Sequence, residues 1–105
     1  MLRFALRQAV VALMLITPVL AASPAEKRGK AYAIRHCGRC HSVDRTTASR
    51  LQTAPPFRIL HTRYPIETLA EALAEGITTG HPAMPEVELG PDRIHDLLSY
   101  LKTLE

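Results

Sequence analysis

The chain has 105 residues, with 13 Lys and Arg against 10 Asp and Glu and a formal charge of +3. That length allows one domain, and an apolar share of 47% excludes a chain disordered by composition. Two Cys exclude a disulfide-dense scaffold and a four-cysteine zinc site.

The N-terminus reads as an address. Arg3 and Arg7 give a positive start, and an apolar run from Ala9 to Leu20 is broken only by Thr17 and Pro18. It ends in the small residues Ala21, Ala22 and Ser23. This is the three-part layout of a secretory signal peptide. The alternative is a retained anchor, but a run of about 12 residues is short of the roughly 20 that cross a bilayer. Cleavage after Ala21 fits, as does cleavage after Ala22 or Ser23. We expect residues 1–22 to be the signal peptide and 23–105 the mature domain, exported to the periplasm. Losing Arg3 and Arg7 leaves 11 basic and 10 acidic side chains, so nucleic-acid binding is not expected. About 83 residues remain, few enough to need a disulfide, metal or cofactor as a staple.

Ser23, Pro24 and Glu26 carry helix-start chemistry: a capping side chain, a proline suited to the first helical position and a capping-box acid. The spacing predicts a helix from Pro24 to about Cys37, with Tyr32 and Ile34 as its larger apolar residues. No period holds from Ser42 to Arg63, and the pair Pro55–Pro56 marks a loop. A second helix starts at Pro65, with Ile66, Leu69, Ala70 and Leu73 on one face, and Gly76 is a plausible stop. Residues 77–90 form another loop, containing Gly80, Pro82 and Pro85. Pro91 opens the last helix, where Ile94, Leu97, Leu98, Leu101 and Leu104 keep helical spacing. The expected class is all-α, with three main helices and two long loops. Loops of that length in so small a domain imply that something fills the space they enclose.

The chemistry lies in Cys37-Gly38-Arg39-Cys40-His41, a C-x-x-C-H haem attachment motif. Two thiols at this spacing near a helix end can each add to one haem vinyl group, and His41 is then held under the iron as an axial ligand. Gly38 eases the turn between them. A thioredoxin-like dithiol follows a strand, and none precedes this motif. A zinc site needs four ligands, and no second pair has the right spacing. A plain disulfide in an exported protein is the remaining rival.

Met84 is the only methionine left after the signal. A lone Met is commonly core filler, but this one sits in a proline-rich loop, His81-Pro82-Ala83-Met84-Pro85. Thioether with imidazole is the ligand pair of electron-carrying cytochromes and raises the potential. Met84 is therefore the expected second ligand, with His81 its nearest competitor. His36, His61 and His95 read as exposed or hydrogen-bonded histidines.

On these residues the whole mature chain resembles a small bacterial class I cytochrome c. The matching pieces are Gly29 eight residues before Cys37, the C-x-x-C-H motif, Pro55-Pro56-Phe57, Met84-Pro85, and the Leu97–Leu101 segment with Tyr100. The resemblance implies a cytochrome c fold around one covalently bound haem c and its iron. It implies that the first and last helices cross, with Gly29 and Tyr100 at the crossing. It also implies that a proline carbonyl, Pro55 or else Pro56, accepts the ring N–H of His41. Ala33 stands where a bulky aromatic is common, which shifts the helix contact toward Tyr32. With no Trp to bond a haem propionate, Arg58, Tyr64 or another loop residue must do so. The apolar surroundings of the cofactor would be Phe57, Ile59, Leu60, Leu69, Leu73, Leu97 and Leu101.

The implied function is that of a one-electron carrier, not an enzyme. We expect a monomer that meets redox partner proteins and touches membranes only through partner complexes. Alternatives are a haem subunit of a dehydrogenase or oxidase complex, and a gas-binding or peroxidatic cytochrome with an open sixth site. Charge is divided along the chain. Residues 23–63 carry nine basic and two acidic side chains, and residues 64–105 two basic and eight acidic. If folding keeps them apart, the dipole would orient the molecule on a partner, with Arg35 and Arg39 facing acidic groups.

Overall fold

The computed structural model describes residues 11–16, 21–76 and 84–105. The described residues form three α-helices and no strand, which agrees with the all-α expectation. α1 is Pro24–His36, α2 is Leu69–Glu75 and α3 is Pro91–Lys102. Two 3₁₀ turns, Phe57–Thr62 and Ile66–Thr68, precede α2.

Local chemistry starts the helices as expected. Ser23 Oγ accepts the Glu26 N–H at 3.2 Å, and Glu26 Oε2 accepts the Ser23 N–H at 3.3 Å. This capping box satisfies two of the backbone donors that a helix start leaves unpaired. Pro24 and Pro91 stand in the first turns of α1 and α3. Gly76 follows the last residue of α2.

Two expectations need correction. The stretch Ser42–Arg63 is not loop throughout, because Phe57–Thr62 winds as a 3₁₀ turn. At three residues per turn, Phe57 and Leu60 share a face, and both are buried. The second helix also begins as 3₁₀ over Ile66–Thr68 before it becomes α-helical at Leu69. The 77–83 part of the second loop, with His81 and Pro82, lies outside the described residues, and 84–90 is non-helical.

The core gathers Ala33, Val43, Phe57, Leu60, Ile66, Leu73, Ile94, Leu97, Tyr100, Leu101 and Leu104. α1 contributes small residues to it. Gly29 and Ala33 are its buried positions, whereas Ile34 is 54% exposed. The reason is the closeness of α1 to α3. A Cβ on Gly29 would meet the Asp96 carbonyl oxygen at 1.9 Å and Tyr100 Cβ at 2.9 Å. No larger side chain fits between the two backbones.

At the same contact Asp96, a buried carboxylate, takes two hydrogen bonds of 2.9 Å from the Arg28 guanidinium. This bidentate geometry is the strong form of such pairs. The Arg28 bonds hold the Asp96 carboxyl below its usual range, against the opposing effect of burial.

Two outcomes follow from this contact. Gly29→Ala should lower the Tm of the folded protein by roughly 10 °C. Overpacking against backbone falls at the upper end of about 1–3 kcal/mol, beyond the roughly 1 kcal/mol Ala gains in a helix, and 1 kcal/mol is worth about 4–8 °C at this size. An unchanged or higher Tm contradicts the close approach. The second outcome concerns acid. A lowered carboxyl pKa stabilises the fold above the ordinary aspartate value of about 3.9, and this stabilisation is lost as pH falls through the lowered folded value. Denaturant titrations of wild type and Asp96→Asn should therefore differ most near neutral pH and converge below about pH 4. A difference that persists undiminished into acid contradicts the assignment.

Candidate functional site

The C-x-x-C-H segment hangs from the end of α1 as a series of tight turns. The Cys37 and Gly38 N–H groups both reach the Ala33 carbonyl, at 2.8 and 2.9 Å, and the His41 N–H reaches the Cys37 carbonyl at 2.9 Å. Gly38 is needed for closeness: its φ is not positive, but a Cβ there would meet the Ile34 carbonyl oxygen at 2.7 Å. The turn therefore folds flat against the last turn of the helix and carries Cys37, Cys40 and His41 on a short, fixed path.

Both cysteines are free thiols at half-buried positions. Cys37 packs against the core, and burial pushes its thiol up to about 11. A thiol so desolvated stays protonated at neutral pH.

His41 Nδ1 lies 2.8 Å from the Pro55 carbonyl oxygen. A carbonyl only accepts, so Nδ1 carries the proton and donates it. In the neutral ring the lone pair is then on Nε2, the arrangement found in histidines that ligate metals. The His41 and Phe57 rings lie 5.0 Å apart at 41°. The structure thus brings together three expected site residues, His41, Pro55 and Phe57, from the motif and the edge of the 3₁₀ turn.

The loop between them is cross-braced around Ser42. The Phe57 N–H donates to the Ser42 carbonyl at 2.9 Å, and the Leu51 N–H to the Cys40 carbonyl at 3.0 Å. The Ser42 N–H donates to Ser49 Oγ at 3.0 Å. Arg58 Nη1 donates to Ser42 Oγ at 3.2 Å and to the Thr47 carbonyl at 2.7 Å. Asp44 accepts the Thr46 and Thr47 N–H groups at 2.8 Å and the Thr47 hydroxyl at 2.7 Å. Led by the Thr47 contacts, these bonds bring its carboxyl down to about 2. From the far side, the buried Tyr100 hydroxyl of α3 donates to the Val43 carbonyl at 2.5 Å.

Sequence reasoning missed this brace. Asp44 followed by Thr46 and Thr47 is a local turn signature that could have revealed its outer part. Nothing local announces the bond of Tyr100 to Val43, 57 positions away. Arg58, a candidate for an anionic group of the cofactor, is occupied here with Ser42 and Thr47. Tyr32 does meet α3, through Arg93, whose guanidinium lies 4.7 Å from the Tyr32 ring centroid. The Tyr32 ring also stacks on the exposed His36 ring, with centroids 4.4 Å apart.

Met84 is half-buried at a bend that opens the 84–90 segment. That segment runs back along α2. The Leu89 N–H donates to the Leu73 carbonyl at 2.8 Å, and Glu86 lies against Gly76. Two surface depressions of about 550 and 390 Å³ flank the helix pair. Neither is lined by Cys37, Cys40, His41 or Met84.

No protein-family model, curated protein or solved structure matches this chain. Its chemistry is therefore read from its own residues. Two unpaired thiols three residues apart and an imidazole with its tautomer fixed by a backbone carbonyl fit a covalently tethered haem iron. They do not fit a closed zinc site, and no cluster of three metal-binding side chains occurs among the described residues.

The brace has a measurable consequence. Tyr100→Phe removes the hydroxyl that satisfies the Val43 carbonyl in the core, and should cost about 1 kcal/mol in denaturant unfolding. A stability equal to wild type would mean that the carbonyl two residues after His41 has no need of this donor.

Proposed function

We propose that this chain is an exported one-electron carrier of the class I cytochrome c kind. One haem c would be bound covalently through Cys37 and Cys40, and His41 and Met84 would hold its iron. Bound there, a haem supplies a one-electron couple between ferric and ferrous iron.

The observation that carries this reading is the 2.8 Å bond between His41 Nδ1 and the Pro55 carbonyl, made by the histidine of a C-x-x-C-H motif. The bond does two things for an iron ligand: it fixes the ring orientation and raises the basicity of the opposite nitrogen. Cys37 and Cys40 fix the cofactor's place on the chain without relying on affinity. Phe57, Leu60, Leu97 and Leu101, all buried, supply an apolar side that keeps water away and disfavours the extra charge of oxidised iron. Met84, a soft thioether, favours the reduced state and raises the potential. The work we propose for these residues is transfer of electrons between redox proteins.

Export is part of the proposal. Val11, Leu13, Met14, Leu15 and Ile16 are each at least 82% exposed, so the packed core does not depend on them. Their loss with a signal peptide would leave the domain intact, and the capping box at Ser23 begins directly after the proposed cut.

Absorption spectra of the protein made in a host that attaches haem test the ligand set. Wild type should show sharp reduced bands and a weak far-red band when oxidised. Met84→Ala should lose the far-red band and bind carbon monoxide quickly in the ferrous form. Fast carbon monoxide binding by wild type would instead mean an open sixth site, and a colourless wild-type protein would end the proposal.

A further inference from the structure

The segment that begins with Met84 is fixed to the end of α2 at two points. The Leu89 N–H donates to the Leu73 carbonyl at 2.8 Å. Three residues earlier, Glu86 lies over Gly76. A Cβ on Gly76 would meet Glu86 Oε1 at 2.6 Å, Cγ at 3.2 Å and Cδ at 3.3 Å. The two contacts share one antiparallel register, 73 with 89 and 76 with 86. Val87 and Leu89 pack against the core, while Glu86 and Glu88 are exposed.

Gly76 makes the second contact possible. Its φ of 99° lies where glycine is favoured, and its missing side chain leaves the cradle that Glu86 fills. Attraction between charges does not explain the contact. Glu86 pairs with no cation among the described residues. Gly76 follows the carbonyl end of α2, which is electronegative, and exposed Glu75 precedes it. Packing therefore holds the Glu86 side chain there, so its length matters and its charge does not.

The contact shortens the arm that carries Met84. Counted from Leu89, Met84 is five residues out, about 17 Å of extended chain. Counted from Glu86, it is two residues out, about 7 Å. A thioether on the shorter arm has far less space to explore.

We infer that Glu86 is a positioning residue for Met84: braced in the Gly76 cradle, it pins the segment so that the thioether stays at one place. The inference rests on the proposed role of Met84 at the iron and names the residue that keeps it there.

The test uses the full mature protein, haem-loaded and labelled with ¹⁵N, as wild type, Glu86→Ala, Glu86→Gln and Gly76→Ala. Carbon monoxide reaches ferrous iron only when Met84 withdraws, so its binding rate reads how firmly the segment is held. Glu86→Ala should bind it about three- to tenfold faster and speed hydrogen exchange at the Leu89 amide by a similar factor. The Tyr100 and Leu101 amides of α3 should exchange as in wild type, because an exposed side chain contributes little to global stability. Glu86→Gln keeps the length of the prop and should stay within about twofold of wild type. Gly76→Ala fills the cradle and should match or exceed Glu86→Ala; if it fails to fold, the two Glu86 variants decide alone.

Unchanged carbon monoxide rates or Leu89 exchange in Glu86→Ala overturn the inference. So does a Glu86→Gln variant as fast as Glu86→Ala, which would make charge the active part. Faster exchange across α3 as well would make Glu86 a support of the whole fold, and overturns it too. Wild type separates the two proposals. If wild type and Glu86→Ala both bind carbon monoxide slowly, only the role of Glu86 is lost. If wild type binds it at once, or carries no haem, the proposed ligand set is lost and this inference with it.

Discussion

The hydrogen bond from His41 to the Pro55 carbonyl is the constraint on which the site depends. It joins the turn hanging from α1 to the proline pair that leads into the 3₁₀ turn, two segments that the Phe57 N–H bond to the Ser42 carbonyl also ties together. A proline carbonyl suits this task. Its residue has no N–H to compete for, and its φ is already fixed near the value the chain needs. Around it, Ser42 receives bonds at its carbonyl and hydroxyl and gives one from its N–H, so the residue after His41 is held as firmly as His41 itself. An imidazole supported in this way offers one nitrogen in one direction, which is what an iron ligand must do through a redox cycle.

The helix pair serves the same end from below. α1 carries the motif directly after its last residue, His36, and α3 carries Tyr100, whose hydroxyl reaches the Val43 carbonyl. Gly29 lets the two helices approach until backbone meets side-chain base, and Arg28 with Asp96 closes the contact with a bidentate ion pair. Any change that separated α1 from α3 would therefore move the motif turn against the loop that positions His41. The small residues on the inner face of α1 also explain its outer face. With Gly29 and Ala33 inside, Ile34 has no place in the core, and remains on the surface beside the arginines.

Much of this was legible in the residues, and the illegible parts share a cause. Ser23, Pro24, Glu26 and Pro91 announce their helices because capping and proline chemistry act within a few positions. The all-α class follows from the spacing of Ile66, Leu73, Ile94, Leu97 and Leu101. The pairing of His41 with Pro55 came from the resemblance to class I cytochromes c, not from any local pattern. The 3₁₀ turn at Phe57–Thr62 escaped because six residues give only two turns, and Pro55–Pro56 reads as loop. Nothing near Asp96 in sequence marks it as buried, because its partner Arg28 is 68 positions away. Ile34 is one of the two larger apolar residues of the first helix, yet it stands 54% exposed. Only the closeness of the helices, a property of the fold as a whole, turns it outward.

The central claim is that Cys37 and Cys40 are joined covalently to one haem whose iron His41 grips. The most direct measurement is the mass of the mature protein, exported by a host with haem-attachment machinery, and of its Cys37–His41 peptide after digestion. The account predicts a chain starting near Ser23 that is heavier by one haem, with the added mass retained on that peptide after denaturation. A mass equal to the polypeptide alone, or lighter by the two hydrogens of a disulfide, would contradict it.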